Sequence, residues 1–336
     1  MPLLLKKLPL MAAALLLGTG VCLAQGRRGG GGRGGAFSGG AGGIIRLEGN
    51  SGSVDENTVR TAREAVTHSI GLPAWTNAPQ FKHDTFTFAR IIFHKSDGAN
   101  DSGFGLNFGG GGRGGGRDGG RLGWWIDYPD ADLNVSARLQ QLTSLKVDPD
   151  ARVLRLTDSD LSRYPYLYAA HVEYIRLNDA ELTALRRHLR NGGALMVSDF
   201  WGTNAWVSFA AEMGRVLPGQ RWVDLPFDHP VFHGVFDLKL PLSNLQVPTV
   251  SAGFWNRSYD PTDPNSRATT PRTDEDEMHV RAWLDDKGRI MVIALHNTDI
   301  SDGWEREGEN PIFFNQFAET RAYPLMINIL FYLMTH

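Results

Sequence analysis

Apolar runs of strand length alternate along this chain with segments of helical period. Ala194 to Ser198 is five residues of buried-strand character between the pair Gly192-Gly193 and Asp199, and the glycines are where a preceding helix would end. That helix is strongly marked. Asn178-Asp179-Ala180-Glu181 has capping-box form, and Leu177 and Leu182 are placed for a hydrophobic staple. Leu182, Leu185 and Leu189 then alternate with Arg186, Arg187 and Arg190 at helical spacing. Val135, Leu139, Leu142 and Leu145 mark another buried face, with Asp132 or Asn134 as its cap. Further helices are expected over Ala205–Val216 and over Ala322–Met334, the latter apolar nearly all round. Ser53-Val54-Asp55-Glu56 reads as a capping box opening a helix to about Ile70, stopped by Gly71 and Pro73.

Strands are predicted over Phe86–Phe93, Val153–Leu156, Tyr166–Ala170, His279–Leu284 and Ile290–Leu295. The last two are joined by Asp285-Asp286-Lys287-Gly288 as a hairpin. Helices alternating with short apolar strands indicate an α/β domain with a mainly parallel sheet and a late antiparallel hairpin on its edge. In such sheets ligands sit outside the carboxyl ends of the strands. Asp199 falls there, and so do His94, His296 and Asp299.

Composition changes this picture at the amino terminus. Met1 to Ala24 has a basic start at Lys6-Lys7, an apolar centre and small residues at its end, the pattern of a secretory signal. A periplasmic or secreted protein is expected, with no transmembrane span after cleavage. Cys22 is the only cysteine, so the mature chain would have no thiol for disulfides, metal ligation or nucleophilic attack. Loss of Lys6 and Lys7 takes the formal charge from −3 to −5, which disfavours nucleic acid as a partner. Gly26–Gly43 and Gly103–Gly123 are glycine-rich with interspersed arginines. They read as part of a flexible tether over residues 25–52 and of a disordered insertion over residues 97–123. Residues 53–84 would form a lead-in and 85–336 the main domain.

The candidate chemistry is dispersed. Asp199 either caps the next helix or serves as a ligand or base, with His94, His229, His296 and Asp299 as its possible companions. A carboxylate with imidazoles suits Zn²⁺ or Mn²⁺, but no HxH or HExxH spacing fixes a metal. No cofactor is predicted beyond that open divalent site. His229, in Asp228-His229-Pro230, is either a loop histidine or a site residue. A second group is aromatic and acidic: Trp124, Trp125, Asp127, Trp201, Trp304 and Glu305. It offers either a stacking platform for carbohydrate or a partner chain, or an apolar plug at one end of the sheet.

Several stretches together resemble a bacterial family, domain-of-unknown-function family 4159. They are Phe86 to Arg90, Trp124 to Asn134, Arg138 to Ser144, Gly192 to Gly202, Asp228-His229-Pro230, His296 to Asp299, Gly303 to Gly308 and Ala322-Tyr323-Pro324. The likeness runs from about Thr85 to His336, with the glycine-rich insertion as a departure. It implies a flavodoxin-like three-layer sandwich similar to class I glutamine amidotransferases and trehalose-utilisation-like proteins, and no established activity. In amidotransferases the turn corresponding to Asp199 bears a cysteine, and a mature chain without a thiol excludes that chemistry. The expectation is a non-catalytic binding or assembly module at the cell envelope. The alternative is a hydrolase acting on carbohydrate or another envelope substrate through a carboxylate and histidine centre.

Overall fold

The apolar runs find one another in a single sheet. A computed structural model describes residues 44–47, 52–69, 72–94 and 123–336, less positions 83, 240, 251–254, 261, 264–265, 270–272, 306 and 309. Seven strands make the main sheet: β1 (Ala89–Ile92), β2 (Arg152–Arg155), β3 (Tyr166–Ala170), β4 (Ala194–Ser198), β5 (Trp222–Asp224), β6 (His279–Leu284) and β7 (Ile290–His296). Their order is β2-β1-β3-β4-β7-β6-β5. From β2 to β7 the neighbours run parallel, whereas β6 is antiparallel to both β7 and β5. The sheet is therefore mixed rather than mainly parallel. Parallel neighbours need a long crossover, but the short turn after Leu284 forces β6 and β7 into a hairpin. The expected hairpin is present, and β5 then extends its edge. All three residues of β5 are exposed, so no apolar run announced it.

Four longer helices cover the sheet: α1 (Asp130–Leu142), α2 (Asp179–Arg190), α3 (Gly202–Val216) and α4 (Tyr323–Thr335). At the start of α2 the capping box is complete. Asn178 Oδ1 accepts from the Ala180 and Glu181 amides, each at 3.0 Å, and Glu181 Oε2 accepts from the Asn178 amide at 2.9 Å. At its end Gly192 turns through φ 100° and the Gly193 amide reaches the His188 carbonyl at 3.0 Å. Only glycine takes that turn without strain, which lets β4 begin two residues later. The chain enters α4 through a π-helical stretch, Phe314–Ala322, and Tyr323 to Leu330 are buried. No helix among the described residues is long and apolar enough to cross a membrane.

Several expectations are corrected. Ser53–Asp55 opens no helix; it is a strand paired antiparallel with Ile44–Arg46, which also brings part of the expected tether into regular structure. The capping box forms eight residues later, where Glu64 Oε1 accepts from the Thr61 amide at 2.9 Å ahead of a single turn, Ala62–Glu64. Val59, Ala62 and Val66, though at helical spacing, share no buried face: the first two are buried while Val66 is 63% exposed. Phe86–Phe93 is not one strand. Thr85–Phe86 pairs with Lys146–Val147 in a small separate sheet, and only Ala89–Ile92 joins the main one. Helix α1 begins at Asp130 after Pro129, so Asp132 and Asn134 lie inside it, buried, and do not cap it. Gly26–Gly43 and residues 103–122 lie outside the described residues.

Candidate metal centre

At one end of the sheet, the backbone leaves three strands through the left-handed region. His171 follows β3 with φ 52°, Asp199 follows β4 with φ 55°, and Asn297 follows β7 with φ 59°. Asp127, on the loop into α1, has φ 58°. Such conformations cost a residue other than glycine about 1–3 kcal/mol and persist where the surroundings impose them. Among the described residues other than glycine, only Ala151 shares this conformation away from this edge.

The turns after β4 and β7 are laced together. Asp199 donates its amide to the Thr298 carbonyl at 3.0 Å, and Asn297 donates its own to Phe200 at 3.0 Å. Asn297 Oδ1 accepts from the Gly202 amide at 2.8 Å, and Asp274 Oδ1 accepts from Thr203 at 3.1 Å. The first amides of α3 are thus held by Asn297 and Asp274. Asp199 does not cap the helix, whose N-cap is Trp201 without a side-chain bond. Freed of that role, Asp199 turns inward. Its Oδ2 lies 2.7 Å from His171 Nε2, and its Oδ1 accepts from Trp201 Nε1 at 3.2 Å.

Two groups of buried carboxylates meet here. Ligand atoms of Asp127, Asp199 and Asp299 lie within 4.8 Å of one another, and so do those of Asp127, Asp302 and Glu305. Each of these residues is between 3% and 7% exposed. Asp299 Oδ2 accepts from Thr249 Oγ1 at 2.9 Å, while its Oδ1 accepts from the Asp302 amide at 3.0 Å. Asp302 Oδ2 accepts from the Val250 amide at 2.7 Å. Asn134 donates to the carbonyls of Trp304, at 2.7 Å, and Glu305, at 3.4 Å, fixing the short helix Asp302–Glu305 against α1.

Asp127 is set from beneath by a buried ion pair. Arg90, on β1, grips Asp132 through Nε at 2.9 Å and Nη2 at 2.5 Å, and neither side chain is exposed. Its Nη1 donates to the carbonyls of Trp124, at 3.0 Å, and Ile126, at 2.9 Å. The loop therefore presents Asp127 to the acidic centre. Asp127 Oδ2 is buried and, among the described residues, has no hydrogen-bond partner.

Electrostatics follows from the crowding. Burial, then the Asp299, Glu305 and Asp199 carboxylates, push Asp127 well above the usual carboxylate range. Burial and Asp199 push Asp299 up to about 7. Asp302 is raised by burial and by Asp299, Asp127 and Glu305. His171 is raised as well, which for an imidazole favours the charged form. Burial opposes its charge, but Asp199 and Glu173, the latter 3.0 Å from Nδ1, outweigh it and raise its pKa. The centre holds five carboxylates around one imidazole, and such charge is tolerated in a protein interior only with bound protons or a cation. The converging donors are oxygens, which suit hard cations such as Mg²⁺, Ca²⁺ or Mn²⁺.

Of the residues singled out in the sequence, Asp199, Asp299, Asp127 and Glu305 come together, and the three histidines do not. His94 is exposed at the end of β1, with Nε2 3.4 Å from Arg155 Nη1. His229 caps the turn Pro230–Phe232, its Nδ1 accepting from the Val231 amide at 3.2 Å, and packs on Tyr332. His296 is fully buried beside Phe200 and Trp206, with Nδ1 3.1 Å from Arg281 Nη1 and Nε2 3.0 Å from the Gly202 carbonyl. The imidazole that Asp199 meets is thus His171, not one of these three. Nor do the aromatics form an open platform. Trp124 and Trp304 are fully buried, Trp201 nearly so, and Trp125 partly. Trp124 packs edge-on against Tyr128 as a plug.

His171, Glu173 and Asp302 were not anticipated. His171 had the same signal as Asp199, a polar residue one position past an apolar strand. Asp302 had another, since Asp299, Asp302 and Glu305 are spaced by three, which on a helical turn places them on one side.

A family model described as Domain of unknown function (DUF4159) covers residues 118–334, well over half of the chain. The stretch Phe86 to Arg90 falls outside it. Among curated proteins none matches the chain.

Proposed function

The chain belongs to the DUF4159 family, and from that premise we propose that its acidic centre is a divalent-cation site in an exported, non-catalytic binding or assembly module of the cell envelope. The observation that carries this reading is the convergence of Asp127, Asp199 and Asp299, with the buried Asp127 Oδ2 lacking a hydrogen-bond partner among the described residues. A cation there would tie together the loop into α1 and the turns after β4 and β7. Exposures of only 3–7% argue for such an internal role over attack on a large substrate. The signal-like pattern of Met1–Ala24 supports export.

The order β2-β1-β3-β4-β7 over the parallel strands supports a flavodoxin-like arrangement, in which the same order runs through five strands. It favours kinship with the amidotransferase-like and trehalose-utilisation-like folds. On that reading Asp199 occupies the strained turn that bears the cysteine in amidotransferases, and a carboxylate there exchanges a nucleophile for a ligand.

The test is thermal unfolding and calorimetric titration of chelator-treated protein with Mg²⁺, Ca²⁺ and Mn²⁺. Binding at a hundred times Kd adds about 2.7 kcal/mol to stability, so a concentration-dependent rise in Tm is expected. It should be smaller in Asp199→Asn. If none of the three ions binds or moves the transition at millimolar levels, the reading is wrong.

A second reading, hydrolysis of an envelope substrate, draws on one observation. His171 is buried between Glu173 and Asp199 at the strand ends, where a general acid or base would stand. It requires His171→Gln to abolish turnover while leaving cation affinity intact.

A further inference from the structure

The two carboxylate groups share a member, and Asp127 is the residue common to both. This matters because a carboxylate has two oxygens, each able to serve a different ion. In two-metal sites the ions stand about 3.5–4 Å apart, a separation that a bridging carboxylate spans. We propose that the centre is binuclear: one cation held by Asp127, Asp199 and Asp299, a second by Asp127, Asp302 and Glu305, with Asp127 as the bridge. The inference rests on the cation reading above and specifies its stoichiometry.

Two observations support it beyond the presence of acids. Asp127 is 5% exposed, and among the described residues its Oδ2 has no hydrogen-bond partner even though the loop that carries it is firmly clamped by Arg90. A buried acceptor is costly to leave unsatisfied, so a structure that fixes it there points to a ligand. Finally, the two groups are built by different parts of the chain. Asp199 and Asp299 come from the turns after β4 and β7, whereas Asp302 and Glu305 come from one short helix braced by Asn134. Each half thus has its own support, and Asp127 joins them.

Neighbouring donors fit the division. Asp299 is oriented by Thr249 Oγ1 and the Asp302 amide, and Asp302 by the Val250 amide. These are outer contacts that steer ligand oxygens. His171 balances part of the charge on the side of Asp199. A pair of divalent ions would offset the remaining negative charge of the five acids.

The experiment is Mn²⁺ titration of the full-length, chelator-treated chain, read by native mass spectrometry for stoichiometry and by electron paramagnetic resonance for coupling. Two Mn²⁺ per chain with a spin-coupled spectrum is the expected result. Asp199→Asn and Glu305→Gln should each reduce the stoichiometry to one and give the spectrum of an isolated ion. Asp127→Asn should weaken both steps by more than the ~10–100-fold that follows loss of an outer-shell partner. The wild-type stoichiometry decides even if a variant fails to fold. One Mn²⁺ per chain with an uncoupled spectrum, unchanged by Glu305→Gln, overturns the binuclear centre and leaves a single cation site standing. No bound Mn²⁺ overturns both.

Discussion

His171 Nε2 lies 2.7 Å from Asp199 Oδ2, and each residue stands in the left-handed region one position past one of two neighbouring parallel strands. The strands bring the residues side by side, and the shared backbone turn aims both side chains over the end of the sheet. Cutting one partner from a buried ion pair costs about 3–5 kcal/mol, because the other is left charged in the interior. His171→Ala should lose stability on that scale in chemical denaturation of chelator-treated protein. A loss well under 1 kcal/mol would mean that the pair contributes little and that Asp199 is held by its other contacts.

Asp127→Asn should behave in the opposite sense. Asparagine tolerates the left-handed backbone, and its amide can donate to neighbouring carboxylates without the proton that the aspartate must first take up. Without cations the variant is expected to gain roughly 1–3 kcal/mol, the scale of one unsatisfied buried polar group. With saturating Mn²⁺ the wild type should overtake it. Thermal melts in chelator and in Mn²⁺ check the crossing. A variant that is less stable in both would show that the carboxylate is already satisfied by the protein.

The Arg90–Asp132 pair offers a contrast, because it is fully buried and geometrically complete. Asp132→Asn should cost about 3–5 kcal/mol, whereas Arg90→Met combined with Asp132→Leu should recover much of that loss. The double variant should still bind cations poorly, since the carbonyls of Trp124 and Ile126 lose their clamp. Urea unfolding paired with Mn²⁺ titration separates the two effects. Full cation affinity in the double variant would detach the clamp from the site.

His296 gives the acid side of the stability profile. Burial first, then the Arg281 guanidinium, push its pKa down to about 3, against the pull of the Gly202 carbonyl. Above the ordinary imidazole value of about 6.5 the group is neutral folded and unfolded, and pH has no leverage through it. Below that value the unfolded chain takes up a proton that the folded one refuses. Stability then falls by about 1.4 kcal/mol per pH unit until the pH nears 3. His296→Gln should be less stable at pH 7.5 yet flatter between pH 6 and 4. Parallel profiles for the two proteins would count against a buried neutral imidazole.

What the sequence disclosed follows from how local each signal was. Strands β3 and β4 and the capped start of α2 were readable to the residue, because apolar runs and the Asn178–Glu181 box are contiguous patterns. The Ser53–Glu56 box was misleading, since its spacing, and the helical spacing of Val59, Ala62 and Val66 after it, also occur where the chain forms a strand and a single turn. Strand β5 has no buried residue and hence no pattern. For the site, position past a strand end identified Asp199 and Asp299 but could not say which way a side chain points. His296 ends its strand as the expected geometry requires, yet its ring is buried between Phe200 and Trp206. The Arg90–Asp132 contact spans 42 residues, and nothing in the spacing of those residues foretells it.

The grip of Arg90 on the carbonyls of Trp124 and Ile126 has a genetic consequence. Asp127 takes its place from the body of the domain, so its register is independent of how much sequence precedes Gly123. Selection on the acids therefore reaches Arg90 as well, a residue no cation would touch, and a change there would leave as deep a mark on the history of this gene as a change at Asp127.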